Sequence, residues 1–128
     1  MNGPDIPERV LQFIAERIDT VPQLETLLLL AEHATKAWTP EEIAARVYVP
    51  RETAISILRS LHQRQLAATD GQSGLFRYSP EWDTSGTLMT ELVTVYRRHL
   101  VQVTTFIHSG PSASVREFAR AFDLKKGR

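Results

Sequence analysis

The chain has 128 residues, 42% of them hydrophobic, with 15 Lys and Arg against 15 Asp and Glu, four His and no Cys. A chain of this length fits one domain with room for a helical appendage, and the lack of Cys excludes a disulfide framework, thiolate metal sites and a cysteine nucleophile. Zero net charge removes the simplest argument for a nucleic-acid partner, a strongly basic surface, and the longest unbroken apolar run, residues 27–31, is too short to cross a bilayer.

Asp5 and Glu8 have capping-box spacing, and Pro7 is tolerated in a first helical turn. Val10, Leu11, Phe13, Ile14 and Ile18 then recur at three- and four-residue spacing, which predicts a first helix over 7–18. Thr20 and Gln23 repeat the capping spacing around Pro22 and open a second helix, 21–34. Leu24, Leu27, Leu28, Leu29 and Leu30 wrap most of its circumference, as expected of a central buried helix. Thr39-Pro40-Glu41-Glu42 is the clearest helix start: a Thr cap, Pro at the first position and Glu at the third. The third helix is short and ends near 47, with Ile43, Ala44 and Val47 inward and Trp38 as a hydrophobic staple onto Ile43. Tyr48-Val49-Pro50 breaks the chain before a fourth helix, 51–65, whose inner face is Ala54, Ile57, Leu58 and Leu61. Residues 66–69 and Leu75-Phe76-Arg77-Tyr78 read as strands around the turn Asp70-Gly71-Gln72-Ser73-Gly74, closed by Pro80.

A long helix is predicted over 85–108. Met89, Val93, Tyr96, Leu100, Val103 and Ile107 alternate spacings of four and three along it, the pattern of a coiled-coil seam, and Leu88, Leu92 and Val95 add a second stripe. If one stripe packs within the chain, the other is left for a second copy, so the seam is the expected interface of a symmetric homodimer; the alternative is that both stripes are core. Gly110-Pro111 ends this helix, and Ser114 and Glu117 cap a last short one carrying Val115, Phe118, Ala119 and Phe122.

Helix, short helix, tight break, longer helix and hairpin is the order of a winged helix-turn-helix. The expected fold is mainly α with a small β-hairpin wing: a winged helix-turn-helix over residues 1–82, including both N-terminal helices, and a long C-terminal helix in a dimerisation segment over 83–128. Within it, Pro50-Arg51-Glu52-Thr53-Ala54-Ile55-Ser56-Ile57-Leu58-Arg59-Ser60-Leu61 resembles the recognition helix of the cyclic-AMP-receptor class of bacterial regulators, which read Ser-Arg-Glu-Thr-Val, a small residue and a closing Leu-x-x-Leu. Residues 39–78 are similar, more loosely, to winged helices of the MarR and PadR types. The stretches Ile18-Asp19-Thr20-Val21 and Gln23-Leu24-Glu25 resemble uncharacterised bacterial winged-helix proteins. The first resemblance, over some 12 residues, implies that Arg51 and Glu52 reach base edges, Arg to guanine and Glu to cytosine. It makes Thr53 and Ser56 edge or backbone contacts and puts Ile55 against a thymine methyl or a protein. The chain departs from the pattern twice: Pro50 stands where a Ser or Thr cap is usual, and Ile55 where a small or polar residue is usual.

Double-stranded DNA also demands phosphate neutralisation, and Lys36, Arg46, Arg59, Arg64 and Arg77 are the candidates, with His62 when protonated. Residues 36–80 hold six bases and four acids, residues 1–35 two and six, and residues 111–128 five and two. The acidic start and basic end are therefore able to pair, within or between chains. The turn at 70–74 carries Asp70 and no cation. The expected function is a cytoplasmic, dimeric, DNA-binding transcriptional regulator, since no secretory signal opens the chain; the alternative is a winged-helix protein-interaction module using the same face, with Ile55 as apolar anchor. The aromatics Phe76, Tyr78, Trp82 and Tyr96 are either ordinary core or the lining of a small effector cleft. His99 and His108 lack metal-pair spacing, no Gly-rich loop opens a helix after a strand, and no nucleophile, base and acid line up. No metal, cofactor or enzymatic activity is therefore expected.

Overall fold

The computed structural model describes residues 6–109. In chain order they form α1 (Glu8–Arg17), α2 (Val21–Glu32), α3 (Pro40–Val47), α4 (Arg51–Gln63), β1 (Ala67–Thr69), β2 (Phe76–Tyr78), a short 3-10 turn at Pro80–Trp82, α5 (Leu88–Arg98) and α6 (Leu100–Ser109). The protein is thus mainly helical with one small antiparallel hairpin, the class its periodicities predict. The Asp5 cap, the Gly110-Pro111 stop and the short helix around Val115 lie outside the described residues.

The chain divides into two units, residues 22–89, and residues 1–21 together with 90–128. This differs from the expected division at residue 82, because α1 belongs with the C-terminal helices and not with α2 to α4 and the hairpin. In its unit Val10, Leu11, Phe13 and Ile14 are buried, as are Leu92, Val95, Val103, Phe106 and Ile107. Arg9 Nε also donates to Glu91 Oε1 at 2.6 Å. The sequence showed that α1 had an apolar face; it did not show which partner would cover it.

In the unit of residues 22–89, Leu24, Leu27, Leu30, Trp38, Ile43, Ala54, Leu58, Leu61 and Leu66 make the core. Two buried polar side chains are satisfied, as burial requires: Gln23 Nε2 donates to Ser60 Oγ at 2.9 Å and Thr26 Oγ1 to the Pro22 carbonyl at 2.8 Å. The predicted capping box opens α3, with Glu42 N–H donating to Thr39 Oγ1 at 3.1 Å and Thr39 N–H to Glu42 Oε1 at 2.9 Å. At its other end Tyr48 turns left-handed (φ 63°, ψ 51°), and Val49 N–H reaches the Ala44 carbonyl at 3.1 Å. That bond closes a Schellman-type cap, which usually has Gly at the left-handed position; an L side chain there costs roughly 1–2 kcal/mol.

α4 stops two residues before the predicted end by the same device. Gln65 is left-handed (φ 66°), Gln65 N–H bonds the His62 carbonyl at 3.0 Å and Leu66 N–H the Leu61 carbonyl at 2.8 Å. Leu61 and Leu66, the apolar pair of that motif, are both fully buried. The hairpin pairs Ala67 with Tyr78, Ala68 with Arg77 and Thr69 with Phe76. On its other edge Phe76 exchanges two backbone hydrogen bonds with Trp38, at 2.7 and 2.9 Å. The residue expected only as a staple is therefore also a one-residue third strand. His62, expected to be solvated, lies exposed with Nδ1 3.1 Å from the Ala67 carbonyl.

The single helix expected over 85–108 is two helices. It starts late, at Leu88, because the Asp83 carboxylate accepts from Leu88 N–H at 3.2 Å and Met89 N–H at 2.9 Å and so fixes the first turn. It is interrupted at His99, although His99 N–H still bonds the Val95 carbonyl and Val103 N–H the His99 carbonyl. The seam expected at the dimer interface is not one outward stripe. Met89, Val103 and Ile107 are buried in the chain's own packing, Val93 and Tyr96 are half-buried, and Leu100 is exposed. Side chains already covered inside the chain are not available to a second copy.

Candidate nucleic-acid interface

Pro50 precedes α4 in an extended conformation (ψ 154°) and makes no side-chain cap. Its ring pre-sets φ but offers neither a hydroxyl nor an N–H, so Arg51, Glu52 and Thr53 open the helix at the protein surface, all three exposed. Ala54, Ile57, Leu58 and Leu61 face inward. On another side Glu52, Ile55, Ser56, Arg59, Ser60 and Gln63, spaced by three and four, line one open groove. Ser56 and Arg59 are exposed and Ile55 is half-buried. Of the residues expected to contact bases, Glu52, Ile55 and Ser56 line this groove, while Arg51 and Thr53 are exposed in the first turn of α4 outside its lining.

The cations are less uniformly placed. Arg51 Nε donates to Glu41 Oε2 of α3. Arg51, through that hydrogen bond, holds the Glu41 carboxyl below its ordinary value. Lys36 Nζ lies 3.6 Å from Glu42 Oε2, and the Glu42 carboxyl is lowered first by the Thr39 backbone N–H and then by the Lys36 charge. The first-turn acids of α3, which complement its dipole, therefore also hold two of the six motif cations. Lys36 and Arg46 flank one buried indole, with Lys36 Nζ 4.7 Å and the Arg46 guanidinium carbon 5.6 Å from the Trp38 ring centroid. His33 meets the same ring edge-on at 5.7 Å. Nothing in the spacing placed Arg46, eight residues downstream, on the ring beside Lys36; packing did.

Arg59 on α4 and Arg77 on β2 are exposed, Arg64 is half-buried just after α4. The hairpin tip is held by Asp70. Its Oδ1 accepts from Gln72 N–H, Ser73 N–H and Ser73 Oγ, each at 2.9 Å, and those donors, Ser73 first, lower its carboxyl. Asp70, the acid of that cation-free turn, is thus a turn-forming group. Among the described residues no three His, Asp or Glu side chains gather as a metal set, and no helix is long and apolar enough to cross a membrane. No protein-family model matches the chain, and no curated protein or solved structure matches it either.

Proposed function

We propose that the protein is a DNA-binding regulator that lays the outer surface of α4 in the major groove, with β2 alongside. One observation carries this reading: an α4 whose inner positions are buried leaves Glu52, Thr53, Ser56 and Arg59 exposed together at the outside of a helix-turn-helix. Arg51, Glu52, Thr53, Ile55 and Ser56 would meet base edges, and Arg46, Arg59 and Arg77 phosphates, with Lys36 and Arg64 at the margins. The Arg51–Glu41 pair does not forbid this. Both partners are exposed, exposed ion pairs add little net stability because water screens and solvates both charges, and a guanine edge or a phosphate can replace the carboxylate.

A second reading, a protein-interaction surface, draws support from the same two ion pairs, which reduce the free positive charge of the face, and from half-buried Ile55 in its groove. Selection of duplexes from a random pool, followed by affinity at two salt concentrations, separates the readings. DNA binding is expected to fall steeply with salt, and Arg59→Ala and Arg77→Ala each to lower the log–log slope by about 1. Duplex affinity indifferent to salt and to both substitutions overturns the DNA reading and leaves the protein one.

A further inference from the structure

Tyr48 occupies a position for which the backbone alone favours glycine. It adopts φ 63° at the end of α3, and the residue is 91% exposed, more than any other large hydrophobic residue among those described. The Schellman-type bond from Val49 to Ala44 is a backbone bond that glycine would make equally well. The ring therefore strains the turn and returns little packing to the fold. It caps α3 only three residues before Arg51, the first residue of α4.

We propose that Tyr48 is a nucleic-acid backbone contact, its phenolic hydroxyl donating to a phosphate oxygen beside the N-terminal end of α4. This rests on the DNA-binding reading above. Tyrosine hydroxyls are among the groups that contact phosphates and so fix register on a duplex. The local sequence favours that partner over a protein: one exposed aromatic residue followed within five positions by exposed Arg51, Glu52 and Thr53 suits an anionic, hydrated backbone. An apolar protein pocket would call for further exposed apolar neighbours at that end, and Pro50 is the only other exposed nonpolar residue from 48 to 53.

Gln65 supplies a matched control. It is also left-handed and exposed, but at the far end of α4, about 20 Å away by helical rise. In the full chain, Tyr48→Gly and Gln65→Gly are both expected to raise the melting temperature by a few degrees. Tyr48→Gly is expected to weaken binding to the duplex selected from the random pool on the order of tenfold, with the salt slope unchanged because no charge is lost. Tyr48→Phe should follow it, and Gln65→Gly should bind like the parent protein. Parent-like duplex affinity in Tyr48→Gly overturns the proposal, as does a lowered melting temperature, which would make the ring a structural element. Loss in Tyr48→Gly but not in Tyr48→Phe overturns the hydroxyl–phosphate contact. If the parent protein shows no salt-dependent duplex binding, the DNA reading itself fails, an outcome distinct from parent-like binding by Tyr48→Gly.

Discussion

Arg51 and Glu41 illustrate how one side chain can be committed within the fold and still be available to a ligand. The pair joins the last helix-turn-helix element to the one before it, across the Tyr48 turn, with both groups exposed. Because Arg51 holds the Glu41 carboxyl below its ordinary value of 4.5, the pair contributes above that value and is lost as pH falls through the lowered one. At neutral pH it competes with any anion that approaches Arg51. Glu41→Gln is therefore expected to strengthen duplex binding severalfold, most at low salt, in a fluorescence-anisotropy titration. Unchanged affinity would remove Arg51 from the interface. The residue types of the candidate site were legible in the sequence, since Arg51, Glu52, Ser56 and Arg59 fall on the outer positions of a helix whose inner positions are apolar. Their partners were not: Glu41 is ten residues from Arg51 and meets it only because the turn between α3 and α4 brings them together.

At the scale of elements, boundaries marked by local capping residues were the easiest to read. The start of α3 is written in four consecutive residues, and both reciprocal hydrogen bonds of its box form. Thr39→Ala is expected to destabilise the fold by about 0.5–2 kcal/mol in denaturant unfolding; no change in midpoint would mean that the box is not limiting. The stops of α3 and α4 use Tyr48 and Gln65 in a conformation usually advertised by Gly or Asn, so the apolar spacing overruns the end of α4 by two residues. The hairpin turn was visible in Gly71 and Gly74, both at positive φ. The bridge from Phe76 to Trp38 was not, because a single-residue strand has no periodicity. The heptad-like spacing from Met89 to Ile107 suggested one continuous helix, but spacing reports which residues share a stripe and not whether the backbone runs unbroken past His99.

For the molecule as a whole, stability should carry a signature at alkaline pH. Tyr78, buried at the foot of the hairpin, has its hydroxyl pushed up to about 12, first by burial and then by the Asp83 charge, with the Trp82 indole opposing the rise. A raised phenol means that the folded state favours the neutral form. The contribution is complete below the ordinary value of 10 and is lost as pH rises toward 12. The parent protein should therefore lose stability between these values more steeply than Tyr78→Phe in thermal unfolding at stepped pH; equal slopes would show that Tyr78 ionises as freely folded as unfolded. The sequence by itself determined the first four helices, the hairpin and the outer surface of α4, because each depends on neighbours within a few turns. Only the tertiary structure decided that α1 joins the C-terminal helices, that half of the supposed dimer seam is interior, and that the acids of α3 hold two of the candidate cations. Those outcomes depend on which apolar faces cover one another and which charges come within a few ångströms, and local spacing along a chain carries neither.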